Sequence, residues 1–327
     1  MKRLYATDKT ALELIRSGAM PRDYASVAFA PADMLDAASN ARDIKQLVER
    51  SDTIARLTQP YMVLVPEHAH RRNSKLITCR ALSASITEPY LVSIDEDCLR
   101  VTPELLFILY GQKHSFATSI QLGLELCGTY TLPAFSDNEC FTTYDLPVLT
   151  TAKSIREFIA RNPGIYGAKR AKRFARILQD GSASPMETVL FLLLCLPVSE
   201  GGYGLPLPEL NADLPVIQYL GSMHVPQIRY GDLVYRSARV VLEYQSSEHH
   251  AGVEKRESDE DRRDDIEATG YTVMFITPSR IKDFDRFEAV VQRLARYLGV
   301  DFSRCEPGRN TSRLALRKLL LPESWTE

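Results

Sequence analysis

The stretch Tyr230-Gly231-Asp232-Leu233-Val234-Tyr235-Arg236-Ser237-Ala238-Arg239-Val240-Val241-Leu242-Glu243-Tyr244-Gln245 decides how this chain is read. Two runs rich in β-branched and aromatic residues flank a short polar break, which is the pattern of a β-hairpin. With the tip at Ser237-Ala238, Tyr235 faces Val240, Val234 faces Val241 and Leu233 faces Leu242, so that Asp232 lies opposite Glu243. Directly opposed residues have Cβ atoms about 4.5–5.5 Å apart, and like charges placed there destabilise a sheet. A cation must then compensate them. Mg²⁺ (or Mn²⁺) suits two carboxylates, because such an ion keeps several waters and contacts phosphate oxygens. Gln245 shares the face of Glu243, since side chains alternate with period two. In the competing reading the register slips and the two acids never meet.

Outward from this hairpin, strand-like runs at 214–219, 228–235 and 239–245 are followed by a charged helix over 258–269, a strand at Tyr271–Thr277 and an amphipathic helix over 280–298. The strands 239–245 and 271–277 with the helix between them form a β-α-β unit, in which the strands lie parallel. Strand 271–277 is apolar on both faces, which predicts a central, doubly covered position. In the last helix Phe284, Phe287, Val290, Val291, Leu294 and Leu298 recur at three- and four-residue spacing, and Gly299 stops it. Upstream, the apolar run from Val189 to Pro197 is about half of the ~20 residues a membrane span needs, and reads as a buried helix. It is introduced by Ser184-Pro185-Met186-Glu187, a capping box in which Glu187 returns to the Ser184 amide. Glu187 is equally a candidate third carboxylate beside Asp232 and Glu243.

Residues 1–57 read as a helical lead-in with Asn40 as a cap, and residues 58–150 as a small α+β domain whose strands include Tyr61–Val65 and Tyr90–Ile94. Residues 151–181 are a basic helical connector. Between Thr150 and Gly181 the cations Lys153, Arg156, Arg161, Lys169, Arg170, Lys172, Arg173 and Arg176 face only Glu157 and Asp180. Lys169, Arg170, Lys172, Arg173 and Arg176 are the candidates for gripping a phosphate backbone, against the plainer reading of a solvated helix face. A further domain spans 182–300, and 301–327 is a tail. The whole chain has 327 residues, 45% hydrophobic and 25% charged, with a formal net charge of −2, so neither disorder nor a global basic bias applies. Six cysteines without a C-x-x-C pair argue against zinc and a disulfide framework. No membrane segment or export signal is read, which predicts a cytoplasmic protein. There is no P-loop, dinucleotide fingerprint or nucleophile elbow.

Asp232, ten intervening residues and then Glu243-Tyr244-Gln245 resemble the core of the PD-(D/E)XK nuclease superfamily. Segment 184–280 is similar to the very-short-patch-repair-like endonuclease domains, in which a helix-borne Glu precedes an Asp strand and a Glu strand. Their E-x-D-G-x-x-H and D-x-x-R-x-x-x-L-x-x-x-G patterns fall here on Glu243, Gln245, Ser246 and His249, then on Asp259, Arg262, Ile266 and Gly270. The resemblance implies an α/β fold with a restriction-endonuclease-like mixed sheet flanked by helices, preceded by a smaller α+β domain. It also implies a Mg²⁺- or Mn²⁺-dependent endonuclease acting on DNA, with Asp232 and Glu243 as metal ligands and Glu187 as an accessory acid. Gln245 and His249 would position water or phosphate. Gln245 replaces the superfamily's lysine and Ser246 a glycine, and the alternative they open is an inactive nuclease fold serving as a DNA-binding or antitoxin-like regulatory module. His249 beside His250 also reads as an exposed loop residue. The first 150 residues are similar in arrangement to the leading portions of abortive-infection and antitoxin-like bacterial proteins, which implies a protein partner.

Overall fold

A computed structural model describes residues 1–18, 28–29, 34–82, 86, 88–135, 141–220, 223–245 and 253–321. It is of the α/β class, with two mixed sheets flanked by helices. The chain forms two compact units, Met1–Leu178 and Gln179–Glu327.

In the first unit six strands are ordered β2-β5-β6-β1-β3-β4. They are β1 (Leu4–Ala6), β2 (Ala28–Phe29), β3 (Tyr61–Val65), β4 (Ile77–Ala81), β5 (Leu91–Ser93) and β6 (Cys98–Val101). Residues 1–57 are therefore not only a helical lead-in. The buried triplet Leu4-Tyr5-Ala6 lies inside the sheet, parallel to β6 and antiparallel to β3. A three-residue strand is too short to show a period of two, so it escapes a pattern search. The expected cap is present: Asn40 accepts from the amides of Arg42 and Asp43 and starts the helix Ala41–Arg50. The basic helices Ala152–Arg161 and Ala168–Ala175 belong to this unit as well, rather than to a separate connector. They bury Ile155, Phe158 and Ile159, and Ala171, Phe174 and Ala175.

The second unit holds a four-stranded sheet of order β10-β9-β8-β7. Its strands are β7 (Glu209–Leu220), β8 (Met223–Tyr235), β9 (Val240–Tyr244) and β10 (Thr272–Ile276). β7, β8 and β9 run antiparallel in turn, while β9 and β10 are parallel and joined through the helix Val253–Ala268. That helix starts at Val253, five residues before the expected position 258. β10 is apolar on both faces but ends the sheet instead of occupying its centre. Val273 there joins Val234, Val241, Leu214 and Ile266 in one buried cluster, so burial comes from packed helices as well as from neighbouring strands. The helix Pro185–Cys195 carries Val189–Leu194 fully into the core, as its run of apolar residues requires. Residues Phe284–Tyr297 form the amphipathic helix, burying Phe287, Val290, Val291 and Leu294.

Residues 301–321 pack into this unit rather than trailing as a tail. Arg313, on the helix Thr311–Leu320, is buried over the Tyr203 ring and donates to the carbonyls of Gly202, Cys305, Glu306 and Gly308. One guanidinium, with its five N–H donors, thus ties four backbone carbonyls together. Among the described residues no helix is long and apolar enough to cross a membrane, and Cys79, Cys98, Cys127, Cys195 and Cys305 are buried and form no disulfide.

Candidate active site

Arg236–Ala238 form the tight turn between β8 and β9, and Arg239 closes it in the left-handed conformation with φ +51°. The register beyond it is Tyr235↔Val240, Val234↔Val241 and Leu233↔Leu242, as the hairpin reading requires. There the ladder stops. One residue further, Asp232 is not a directly opposed partner of Glu243: its carboxylate, in place of its backbone, accepts the Tyr244 amide at 2.7 Å. The ladder with β7 also skips this point, where Asn211 takes φ +43° between the pairs Leu210↔Leu233 and Ala212↔Gly231. Past Glu243, β9 is held by β10, with the Gln245 amide on the Ile276 carbonyl. β8 therefore forks away from β9, and Asp232 and Glu243 sit at the crotch of the fork.

Glu243 is buried. Its Oε2 accepts from Arg262 at 2.8 Å, while its Oε1 is buried with no hydrogen-bond partner among the described residues. Burial and the nearby Asp232 charge push the Glu243 carboxyl well above the usual carboxylate range, with Arg262 and the Asp232 backbone acting the other way. Burial raises Asp232 too, against the Tyr244 amide and Arg262. Glu187 reaches the same place from the first turn of its helix. Its amide donates to the Ser184 hydroxyl, but its own Oε2 accepts from Ala183 at 2.8 Å, one residue before the expected Ser184 amide. Burial first and the Asp232 charge second push Glu187 up to about 7. Glu187 is thus a cap and a neighbour of the acidic pair at once.

The sequence-predicted residues fare differently. Asp232, Glu243 and Glu187 come together, and Gln245 follows β9, half-buried. His249 and Ser246 lie outside the described residues. Arg262, already matched to the arginine of the D-x-x-R pattern, pairs with Glu243 one turn before the buried Ile266, a contact that hairpin spacing alone does not give. Its guanidinium also donates to the Tyr230 carbonyl. The five cationic candidates belong to the first unit, and all are exposed. Arg170 is engaged with the Gln112 and His114 carbonyls, and Arg173 lies over the Phe116 and Phe174 rings. Lys169, Lys172 and Arg176 have no partner among the described residues.

Among the described residues no group of three or more His, Cys, Asp or Glu is arranged to hold a metal ion. Glu187 is felt electrostatically but does not complete a three-carboxylate cage. The remaining donor set is two carboxylates with one orphaned buried oxygen. Hard oxygen donors of that number fit Mg²⁺, which is usually held by one or two carboxylates together with water and phosphate. Among the described residues, thiol or imidazole ligands that would favour zinc are not part of the set. Compared with protein families, with curated proteins and with solved structures, the chain finds no match.

Proposed function

We propose that this protein is a Mg²⁺- or Mn²⁺-dependent endonuclease that hydrolyses DNA phosphodiester bonds, with its reaction centre in the second unit. The observation that carries this reading is the buried Glu243 carboxylate, with one oxygen unsatisfied among the described residues, within electrostatic reach of Asp232 on the neighbouring strand and of Glu187 on its helix. An unpaired buried carboxylate oxygen costs free energy unless a cation or donor meets it. A helix-borne Glu preceding an Asp strand and a Glu strand is also the order of the nuclease domains that the sequence resembles.

Asp232 and Glu243 would hold the ion, which when bound supplies positive charge for the developing phosphorane and a more acidic water. Glu187, titrating near neutrality, is suited to take a proton from the attacking water or return one to the leaving oxygen. Gln245 can orient a water or phosphate oxygen but brings no charge. Lys169, Lys172 and Arg176 would grip the DNA backbone without reading sequence.

A second reading is favoured by Arg262 itself. A guanidinium already neutralises Glu243, and with Gln245 in the lysine position the fold could bind DNA without cutting it. Incubating supercoiled and linear DNA with the full chain separates the two. The enzyme reading expects nicking that requires Mg²⁺ or Mn²⁺, stops with chelator and is lost in Glu243→Gln. Salt-sensitive DNA binding with no cleavage under any metal supports the binding module instead.

A further inference from the structure

We propose that Arg262 is a positioning residue that presents Glu243 to the cation, so that the ion binds a carboxylate already fixed by its other oxygen. This rests on the metal-dependent reading above. The geometry is a single guanidinium tied to both arms of the fork. Nη2 of Arg262 donates to Glu243 Oε2 at 2.8 Å on β9 and to the carbonyl of Tyr230 on β8, two residues before Asp232. Backbone pairing between β8 and β9 ends at Leu233↔Leu242. Beyond that pair, side chains join the arms: the Asp232 carboxylate accepts the Tyr244 amide, and Arg262 donates to Glu243 and to the Tyr230 carbonyl. Fixing Oε2 removes the rotational freedom of the Glu243 carboxyl and leaves Oε1, buried and unsatisfied, as the open donor.

The sequence places this arginine on an inward stripe. Ile266, four residues later, is buried in the cluster with Val234, Val241 and Val273, so position 262 meets the sheet one turn closer to the fork. Pre-organised ligands bind more tightly because less ordering remains to be done on binding. The same contact could work oppositely. If Arg262 stands in for the ion, occupying Glu243 until displaced, its removal would free both oxygens and strengthen metal binding.

The two signs are separated by Mn²⁺ binding to the full-length chain, followed at pH 8 through the electron paramagnetic resonance signal of the free ion. Wild type, Arg262→Lys, Arg262→Gln and Glu243→Gln are compared, each with a thermal melt. We expect Arg262→Gln to bind Mn²⁺ at least about tenfold more weakly while still melting cooperatively. Arg262→Lys should recover part of that loss, because an ammonium keeps the charge but not the two-ended span. Affinity unchanged or increased in Arg262→Gln overturns the inference. If that variant does not melt cooperatively, Arg262→Lys decides by the same criterion. Wild-type binding that is absent, or that survives Glu243→Gln, defeats the metal reading itself and takes the inference with it; binding that is lost in Glu243→Gln but untouched in both Arg262 variants defeats the inference alone.

Discussion

Glu187 concentrates the behaviour of the site in one side chain. Its carboxyl titrates near 7 in the folded protein and near 4.5 when unfolded, so the native state binds more protons between these values. Stability then falls as pH rises through that window, by on the order of 3 kcal/mol, and is level above it. Glu187→Gln should remove this dependence: in metal-free urea titrations the variant should gain on wild type from pH 4.5 to 7. An equal pH profile for the two proteins would remove Glu187 from the acidic cluster. Asp232 carries two separable roles. Asp232→Asn keeps an acceptor for the Tyr244 amide and should fold with undiminished stability, whereas Asp232→Ala orphans that amide and should cost about 1–3 kcal/mol in the same titrations. These acids were legible in the sequence because charge stands out within an apolar hairpin and a capping box has fixed spacing. Arg262 was matched in sequence to the family's arginine but was not legible as their partner, since the contact joins residues nineteen positions apart on a strand and on the following helix.

At the level of elements, the fork in the sheet explains why a correct register did not give a correct pairing. Hairpin arithmetic assumes an unbroken ladder, but Asn211 in the left-handed conformation and the side-chain bond of Asp232 interrupt both ladders of β8 at one residue. Gly231, next to Asp232, lets the chain pack closely against Val234 and Val241 at this point. A Cβ there would lie 2.7 Å from side-chain carbons of both Val234 and Val241. Gly231→Ala should therefore destabilise the protein by about 1–3 kcal/mol, as overpacking generally does, and lower Mn²⁺ affinity along with it. A melt and a metal titration on that variant check both effects. Long amphipathic helices such as Phe284–Tyr297 were legible because their period is sustained for four turns. The edge position of β10 was not: apolar residues on both faces report burial, and helices supply burial as well as strands do.

For the whole molecule, the contacts gather Met1–Leu178 and Gln179–Glu327 into separate units, one carrying the basic helix and the other the acidic fork. Chain order suggested five segments, because composition changes along the chain mark changes of texture rather than of tertiary partner. Charge reversal of Lys169, Lys172 and Arg176 together should weaken DNA binding and lower the slope of log affinity against log salt by up to about 3, without altering Mn²⁺ binding. An unchanged salt slope would place the phosphate contacts elsewhere. The central claim is that the fork is where a phosphodiester bond is cut. It is tested most directly by the rate of plasmid nicking at saturating DNA and Mg²⁺ for wild type and Asp232→Asn, the variant that preserves the backbone bond. A loss of about 100-fold or more, with DNA affinity retained, is the expected result. Equal rates in the two proteins would contradict it.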